Sequence, residues 1–198
     1  MAPKTALLVV DMQRFFESMT TTAVPNIKKL ITQFQSSSSP IIFTQHGHSR
    51  EELTADPSPN QLVRKWGSGG SIAYGSDDWQ FQTEIKKYVE GSKSGAGASG
   101  WPKVVAKNTY DAFINTNLDQ ILRDANVERT VVCGVMTDCC CDTTARSAFN
   151  RGFESWLVSD ACGSANKTQH RAGLNGFGFA FGEVLTTAEA VGALKKGE

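Results

Sequence analysis

The chain reads as α/β: a three-layer α/β/α sandwich around a six-stranded, mainly parallel sheet. Three observations predict this. Six short β-prone runs punctuate the sequence, at 5–10, 41–45, 104–107, 130–134, 155–159 and 183–186. Segments with apolar residues at helical spacing separate several of them, and strands alternating with helices make a parallel sheet covered on both faces. The first run, Ala6-Leu7-Leu8-Val9-Val10, is apolar without interruption, as a strand buried in such a sheet must be.

In chain order, the first strand leads to a helix whose apolar positions are Ile27, Leu30, Ile31 and Phe34. The second strand is followed by a stretch from His46 to Lys103, long for one βα connection. It holds the aromatic, glycine-rich segment Trp66 to Tyr74, a helix around 81–89, and the Gly/Ser-rich run 91–100, whose composition suits a surface loop. Trp66 and Tyr74 either form a lid over a pocket or pin this long loop to the surface. After the third strand, Leu118, Ile121 and Leu122 mark a helix, with Thr116 and Asp119 spaced like a capping box. The fourth strand reaches Gly134, and a helix over 137–150 follows, with Gly152 just past its end. Before the last strand, Phe177, Phe179 and Phe181 fall on every second position; they face the core, pack near Cys140, or lie on the surface. A final helix covers 187–196, no internal repeat is apparent, and residues 1–198 are expected to form one domain.

Composition narrows the function classes. The 198 residues are 40% hydrophobic, enough for a substantial core, and 20 basic residues balance 20 acidic ones. With no basic stripe, neither nucleic acid nor an anionic membrane is an expected partner. No apolar run reaches membrane-spanning length, and the first strand is too short for a signal peptide's core. The expected compartment is the cytoplasm. Cys133, Cys139, Cys140, Cys141 and Cys162 are odd in number, three of them consecutive, and match neither a disulfide framework nor paired zinc spacings.

Three groups of complementary chemistry fall at strand ends, where parallel sheets gather their ligands. Asp11 follows Val10, Lys107 ends Val104-Val105-Ala106-Lys107, and Cys140 lies beyond Gly134 in Met136-Thr137-Asp138-Cys139-Cys140-Cys141. Free cysteines are mostly small buried hydrophobes. A cysteine in the first turn of a helix, however, meets unpaired N–H groups and the positive dipole end, which favour thiolate.

These segments resemble the isochorismatase-like superfamily, the cysteine hydrolases. The resemblance rests on 7–13, 107–113, 134–145 and 158–161, which occur in family order and span most of the chain. It implies a sheet of order 3-2-1-4-5-6, a Cys–Asp–Lys triad on Cys140, Asp11 and Lys107, and a cis peptide between Val135 and Met136. It further implies an oxyanion hole from the backbone N–H groups of Met136 and Cys140. Gln13 and Phe16, just past the first strand, join Trp66 and Tyr74 as expected substrate contacts. Family members commonly associate, so a homo-oligomer is expected.

The implied chemistry is hydrolysis of an amide-type C–N bond in a small molecule through a thioester. Asp11 would move the proton, and Lys107 would hold the charges. The alternative is vinyl-ether hydrolysis of isochorismate to pyruvate, with Asp11 as the acid; typical bacterial isochorismatases lack the cysteine. A non-catalytic α/β binding domain is the third reading, though all three triad positions are filled. In the nicotinamidase branch the resemblance leads to an Asp-x-His metal motif plus a later histidine. Here His46-Gly47-His48 stands in its place, read as a solvated loop pair, so neither metal nor cofactor is expected.

Overall fold

The computed structural model describes residues 3–90 and 100–197; the stretch 91–99, read above as a surface loop, lies outside them. Six strands, β1 (Thr5–Val10), β2 (Ile41–His46), β3 (Lys103–Lys107), β4 (Arg129–Val135), β5 (Glu154–Gly163) and β6 (Glu183–Leu185), form one sheet of order β3-β2-β1-β4-β5-β6. Every pairing is parallel. Strand order therefore runs outward in both directions from the central β1–β4 pair, where Leu7 registers with Val131 and Val10 with Gly134. That reversal opens a crevice at the carboxyl ends of the strands.

The principal helices are α1 (Val24–Ser36), α2 (Thr83–Glu90), α3 (Leu118–Asp124), α4 (Asp142–Asn150), α5 (Lys167–Ala180) and α6 (Thr187–Lys196). They cover both faces of the sheet, and the alternation of strand side chains divides the core in two. Leu7, Val9, Val131 and Cys133 pack against Ile27, Leu30, Ile31 and Phe34 of α1 and Ala190 of α6. Leu8, Val10 and Val132 face the other way, toward Leu118, Ile121 and Leu122 of α3, Ala145 and Ala148 of α4 and Phe177 of α5. Each fully buried side chain of this size contributes roughly 1.5–3 kcal/mol. Among the described residues, no helix is long and apolar enough to cross a membrane.

Local signals account for the helix ends. Phe153 N–H bonds to Ala148 O and Gly152 N–H to Phe149 O, a Schellman stop for α4 in which Gly152 takes φ 88. Helix α6 begins with a capping box between Thr186 and Glu189, so Thr186 caps the helix instead of ending β6. For α3 the N-cap is Asn117, and Thr116 accepts a bond from Leu118 N–H.

The alternating phenylalanines lie on a helix. In α5, Phe177 is buried and stacks on Phe181 one turn later, while Phe179 is 92% exposed. Its glycines permit close approach: a Cβ on Gly173 would fall 2.8 Å from the Asp138 Cα.

Candidate active site

Three strand ends converge at the crevice. Past β1, Asp11 adopts φ 48, a left-handed conformation that aspartate tolerates, and its carboxylate is fully buried. Thr44 of β2 holds it from both sides: Asp11 N–H donates to Thr44 Oγ1 (3.1 Å), and Thr44 Oγ1–H donates to Asp11 Oδ1 (2.6 Å). Lys107, the last residue of β3, places Nζ 2.6 Å from Asp11 Oδ2, and both side chains are shut off from solvent. The same ammonium reaches Thr109 O at 2.9 Å and Cys140 Sγ at 3.4 Å.

Cys140 reaches this point by a turn differing from the one expected. At the end of β4, Gly134 has φ 119, and a Cβ there would sit 2.1 Å from Val10 O, so only glycine lets β1 and β4 approach. The peptide between Val135 and Met136 is cis. Residues Thr137–Cys141 form a single π-turn, with Cys139 N–H and Cys141 N–H both bonded to Met136 O, and α4 starts only at Asp142. Such turns recur at functional sites. Thr137 Oγ1 donates to Gly163 O (2.9 Å) and lies 2.8 Å from His170 Nδ1, tying the turn to β5 and α5.

Burial dominates the electrostatics. It pushes the Cys140 thiol far above its usual value, against the opposing pull of Lys107. Burial thus opposes the pull toward thiolate from the turn's N–H groups and Lys107. Burial would also lower Lys107, but Asp11 and Cys140 outweigh it and hold the ammonium above its ordinary range. The neighbouring Cys139 is raised to about 11 by burial and by Asp138.

Cys140 opens on a cavity of about 270 Å³ whose lining includes Phe16, Trp66, Tyr110, Met136 and Cys139. Of the expected substrate contacts, Phe16 and Trp66 therefore line it. Gln13 does not. Its amide donates to His46 O (2.8 Å) and Trp79 O (2.9 Å) and accepts from His46 N–H (2.8 Å), clamping β1 to β2 and the long connection. Tyr74 also lies off the lining, packed edge-on against Trp79 over Gly47. Sequence reasoning gave no role to Tyr110, whose hydroxyl accepts from Trp66 Nε1–H at 2.8 Å; its place three residues after Lys107 was the available signal. A larger groove of about 600 Å³ lies over α1 and α6 and has neither cysteine nor histidine in its lining.

His46 and His48 are buried, not solvated, and both line the cavity. Burial first, then Lys107, lowers His46 to about 3. Their Nε2 atoms lie 3.0 Å apart, but the nearest carboxylate, Glu52, faces the far nitrogen of His48. Among the described residues no group of three or more His, Cys, Asp or Glu side chains is arranged to hold a metal. Two nitrogens alone do not fit the three protein ligands of a catalytic zinc.

Comparison with known proteins agrees with this fold. The isochorismatase domain model matches residues 5–189. Nicotinamidase 3 of Arabidopsis thaliana is 35% identical over 89% of this chain and 81% of its own length. A ureidoacrylate amidohydrolase of Acinetobacter baylyi is 27% identical over 96% of this chain and 84% of its own. Among solved structures, a cysteine hydrolase from Pseudomonas syringae superposes with a TM-score of 0.79 at 26% identity, covering 98% of this chain and 94% of that one. With the sheet order and strand-end site already in place, these matches identify the chain as a member of the isochorismatase family of hydrolases.

Proposed function

We propose that the protein hydrolyses a small, uncharged amide by acyl transfer through Cys140. The observation that carries this reading is the position of Lys107 Nζ, 2.6 Å from Asp11 Oδ2 and 3.4 Å from Cys140 Sγ, at the cavity on which Cys140 opens. Asp11 takes the thiol proton as Sγ attacks the carbonyl carbon. The same proton passes to the leaving nitrogen as the C–N bond breaks, leaving a thioester. Water then attacks the thioester, gives its proton to Asp11, and releases the acid while the thiol is re-formed. Lys107 pairs with the Asp11 carboxylate and steadies the sulfur as it becomes anionic.

The Met136 and Cys140 N–H groups serve as oxyanion donors; such donors contribute about 3–4 kcal/mol each where tested. Met136 and Cys140 both border the cavity, and the cis peptide falls where the family pattern puts it.

The walls support an uncharged substrate. Among the described residues no lysine or arginine lines the cavity, and the Lys107 ammonium at Cys140 is already engaged by Asp11, so the carboxylates of isochorismate, or the one of ureidoacrylate, would find no free cationic partner in the walls. The nicotinamidase relative acts, by its name, on an uncharged aromatic amide, which suits the aromatic lining. A panel of amides, ureides and isochorismate, assayed for ammonia and pyruvate, tests the proposal. Cys140→Ala should abolish ammonia release and Cys139→Ala or Cys141→Ala should not. Pyruvate release surviving in Cys140→Ala but lost in Asp11→Ala would replace amide hydrolysis with acid-only chemistry.

A further inference from the structure

A line of polar side chains runs from Lys107 along the cavity to the long βα connection. Lys107 Nζ lies 3.5 Å from His46 Nδ1, His46 Nε2 lies 3.0 Å from His48 Nε2, and His48 Nδ1 faces Glu52 Oε2 at 3.6 Å. That last nitrogen is buried and makes no hydrogen bond within 3.5 Å among the described residues, and the Glu52 carboxylate is the acceptor it faces. The two ends of the line fix the direction of the protons between them. An ammonium group only donates, so His46 Nδ1 is bare; a carboxylate only accepts, so His48 Nδ1 carries hydrogen. His46 Nε2–H then donates to His48 Nε2, and both rings are neutral.

The surroundings favour this arrangement over its reverse. Burial works against the Glu52 charge, but the Ser49 N–H and the Asn60 and Asn108 amides outweigh it and hold the carboxyl below its usual value. Reversal would turn a His46 Nδ1–H toward the ammonium. The Thr109 carbonyl, also near that ring, accepts from Lys107 at 2.9 Å and keeps a second lone pair, so the direction is decided by the ammonium and by Glu52. It would also set a bare His48 nitrogen against the Glu52 anion.

We propose that Glu52 is a positioning residue: by fixing the tautomers of His48 and His46 it sets the hydrogen-bond direction at Lys107 and holds the ammonium between Asp11 and Cys140. The proposal rests on the hydrolase reading of those three groups. Lys107 has three N–H bonds and four acceptors around it: Asp11, Thr109, Cys140 and His46. With His46 Nδ1 bare, one N–H can rest on nitrogen while Cys140 is a thiol and turn to sulfur as negative charge develops there. A protonated Nδ1 would instead push the ammonium away. Glu52 reaches the same strand end a second way, because its Oε1 accepts from Asn108 Nδ2 at 2.7 Å, next to Lys107.

Glu52→Gln tests this, because glutamine keeps the length of the side chain and one of its two acceptor oxygens on the short helix Arg50–Thr54. Glu52 Oε1 receives Asn60 and Asn108; Oε2 receives Ser49 N–H and faces His48. If the remaining oxygen stays with the two asparagines, the new NH₂ faces both Ser49 N–H and His48 Nδ1–H: the capping bond is lost, which circular dichroism of the variant monitors, and the line is driven to reverse.

Nitrogen-15 NMR reads ring protonation directly, and the chain has only 3 histidines to assign. Wild type should show His46 protonated at Nε2 and His48 at Nδ1, with at least one reversed in Glu52→Gln. Displacing a catalytic group by about 1 Å can cost about 100-fold, so a fall in kcat of roughly tenfold with KM little changed is expected. The alkylation rate of Cys140 by iodoacetamide should change as well, and it requires no substrate. Wild type with His46 protonated at Nδ1, or with both Nε2 atoms bare in a stoichiometrically metallated protein, overturns the proposal. So does a Glu52→Gln variant with unchanged tautomers and activity. Absence of amide turnover in wild type would instead remove the hydrolase reading, while the tautomers and the alkylation rate would still test the assignment of Glu52.

Discussion

Lys107→Met would show how far the site depends on one buried charge pair. The Lys107–Asp11 contact is 2.6 Å, and neither side chain is exposed. Removing the ammonium leaves the Asp11 carboxylate in the core with the Thr44 hydroxyl and no cation against it. Breaking a buried pair from one side costs about 3–5 kcal/mol. At about 2–4 °C per kcal/mol for a chain of this size, Tm should fall by roughly 6–20 °C. The double variant Asp11→Asn with Lys107→Met removes the orphaned charge as well, and most of that loss should return. Activity is expected to vanish in both, so stability is the informative quantity. Thermal and urea unfolding followed by circular dichroism measures it. A single variant within about 1 kcal/mol of wild type, or a double variant no more stable than the single, would refute the argument. Either result would mean that water reaches Asp11 and that the pair is not held in a low-dielectric site.

Further outcomes follow from other parts of the structure. Gln13→Leu should lower stability by about 3 kcal/mol, at roughly 1 kcal/mol for each of three lost bonds, read as a shifted urea midpoint. A change in KM with unchanged stability would return Gln13 to the substrate. Burial raises Cys133, Cys139, Cys140 and Cys141 above their usual 9.0, so the unfolded chain loses these protons first as pH rises. Their contribution is therefore intact below pH 9 and declines above it by about 1.4 kcal/mol per pH unit for each thiol. The Cys139 part is complete near 11. A urea midpoint equal at pH 8 and pH 10 would contradict this. The expected homo-oligomer has its test at Phe179, 92% exposed on α5: Phe179→Ser should lower the mass seen by light scattering without lowering Tm. A monomeric wild type at micromolar concentration would end that expectation.

The strands were legible because the sheet asks for apolar residues along them, and β1 is buried at all six positions. Gly134, read as the point where the fourth strand gives way, instead lies within β4 at a shift of register with β5, and it is glycine because no side chain fits beside Val10. The helix α5 was harder to see. Its glycines have poor helix propensity and its phenylalanines suggest a strand period, but packing overrides both. Gly173 admits the backbone of Asp138, and a Cβ on Gly176 would crowd Arg146 at 2.7 Å. The π-turn at Thr137–Cys141 leaves no compositional mark. The burial of His46 and His48 depends on the long connection folding back over them: His48 N–H bonds to Ile72 O, and Tyr74 N–H to His48 O. Such contacts between residues two dozen positions apart have no periodicity to betray them.

The proposed chemistry and one side of the cavity wall come from different parts of the chain. Asp11, Lys107 and Cys140 stand at the ends of core strands, whereas Leu62, Trp66, Ser71 and Ile72 of the wall belong to a single connection between β2 and α2. A substitution in that connection can reshape the wall without disturbing the sheet, while one at a strand end costs stability and chemistry together. The architecture thus lets one side of the pocket change independently of the strand ends. New substrates are most accessible by recombining or randomising the wall segment, with the strand ends left alone. The boundary of that freedom is Glu52, which lies in the same connection yet reaches across to Asn108 beside Lys107.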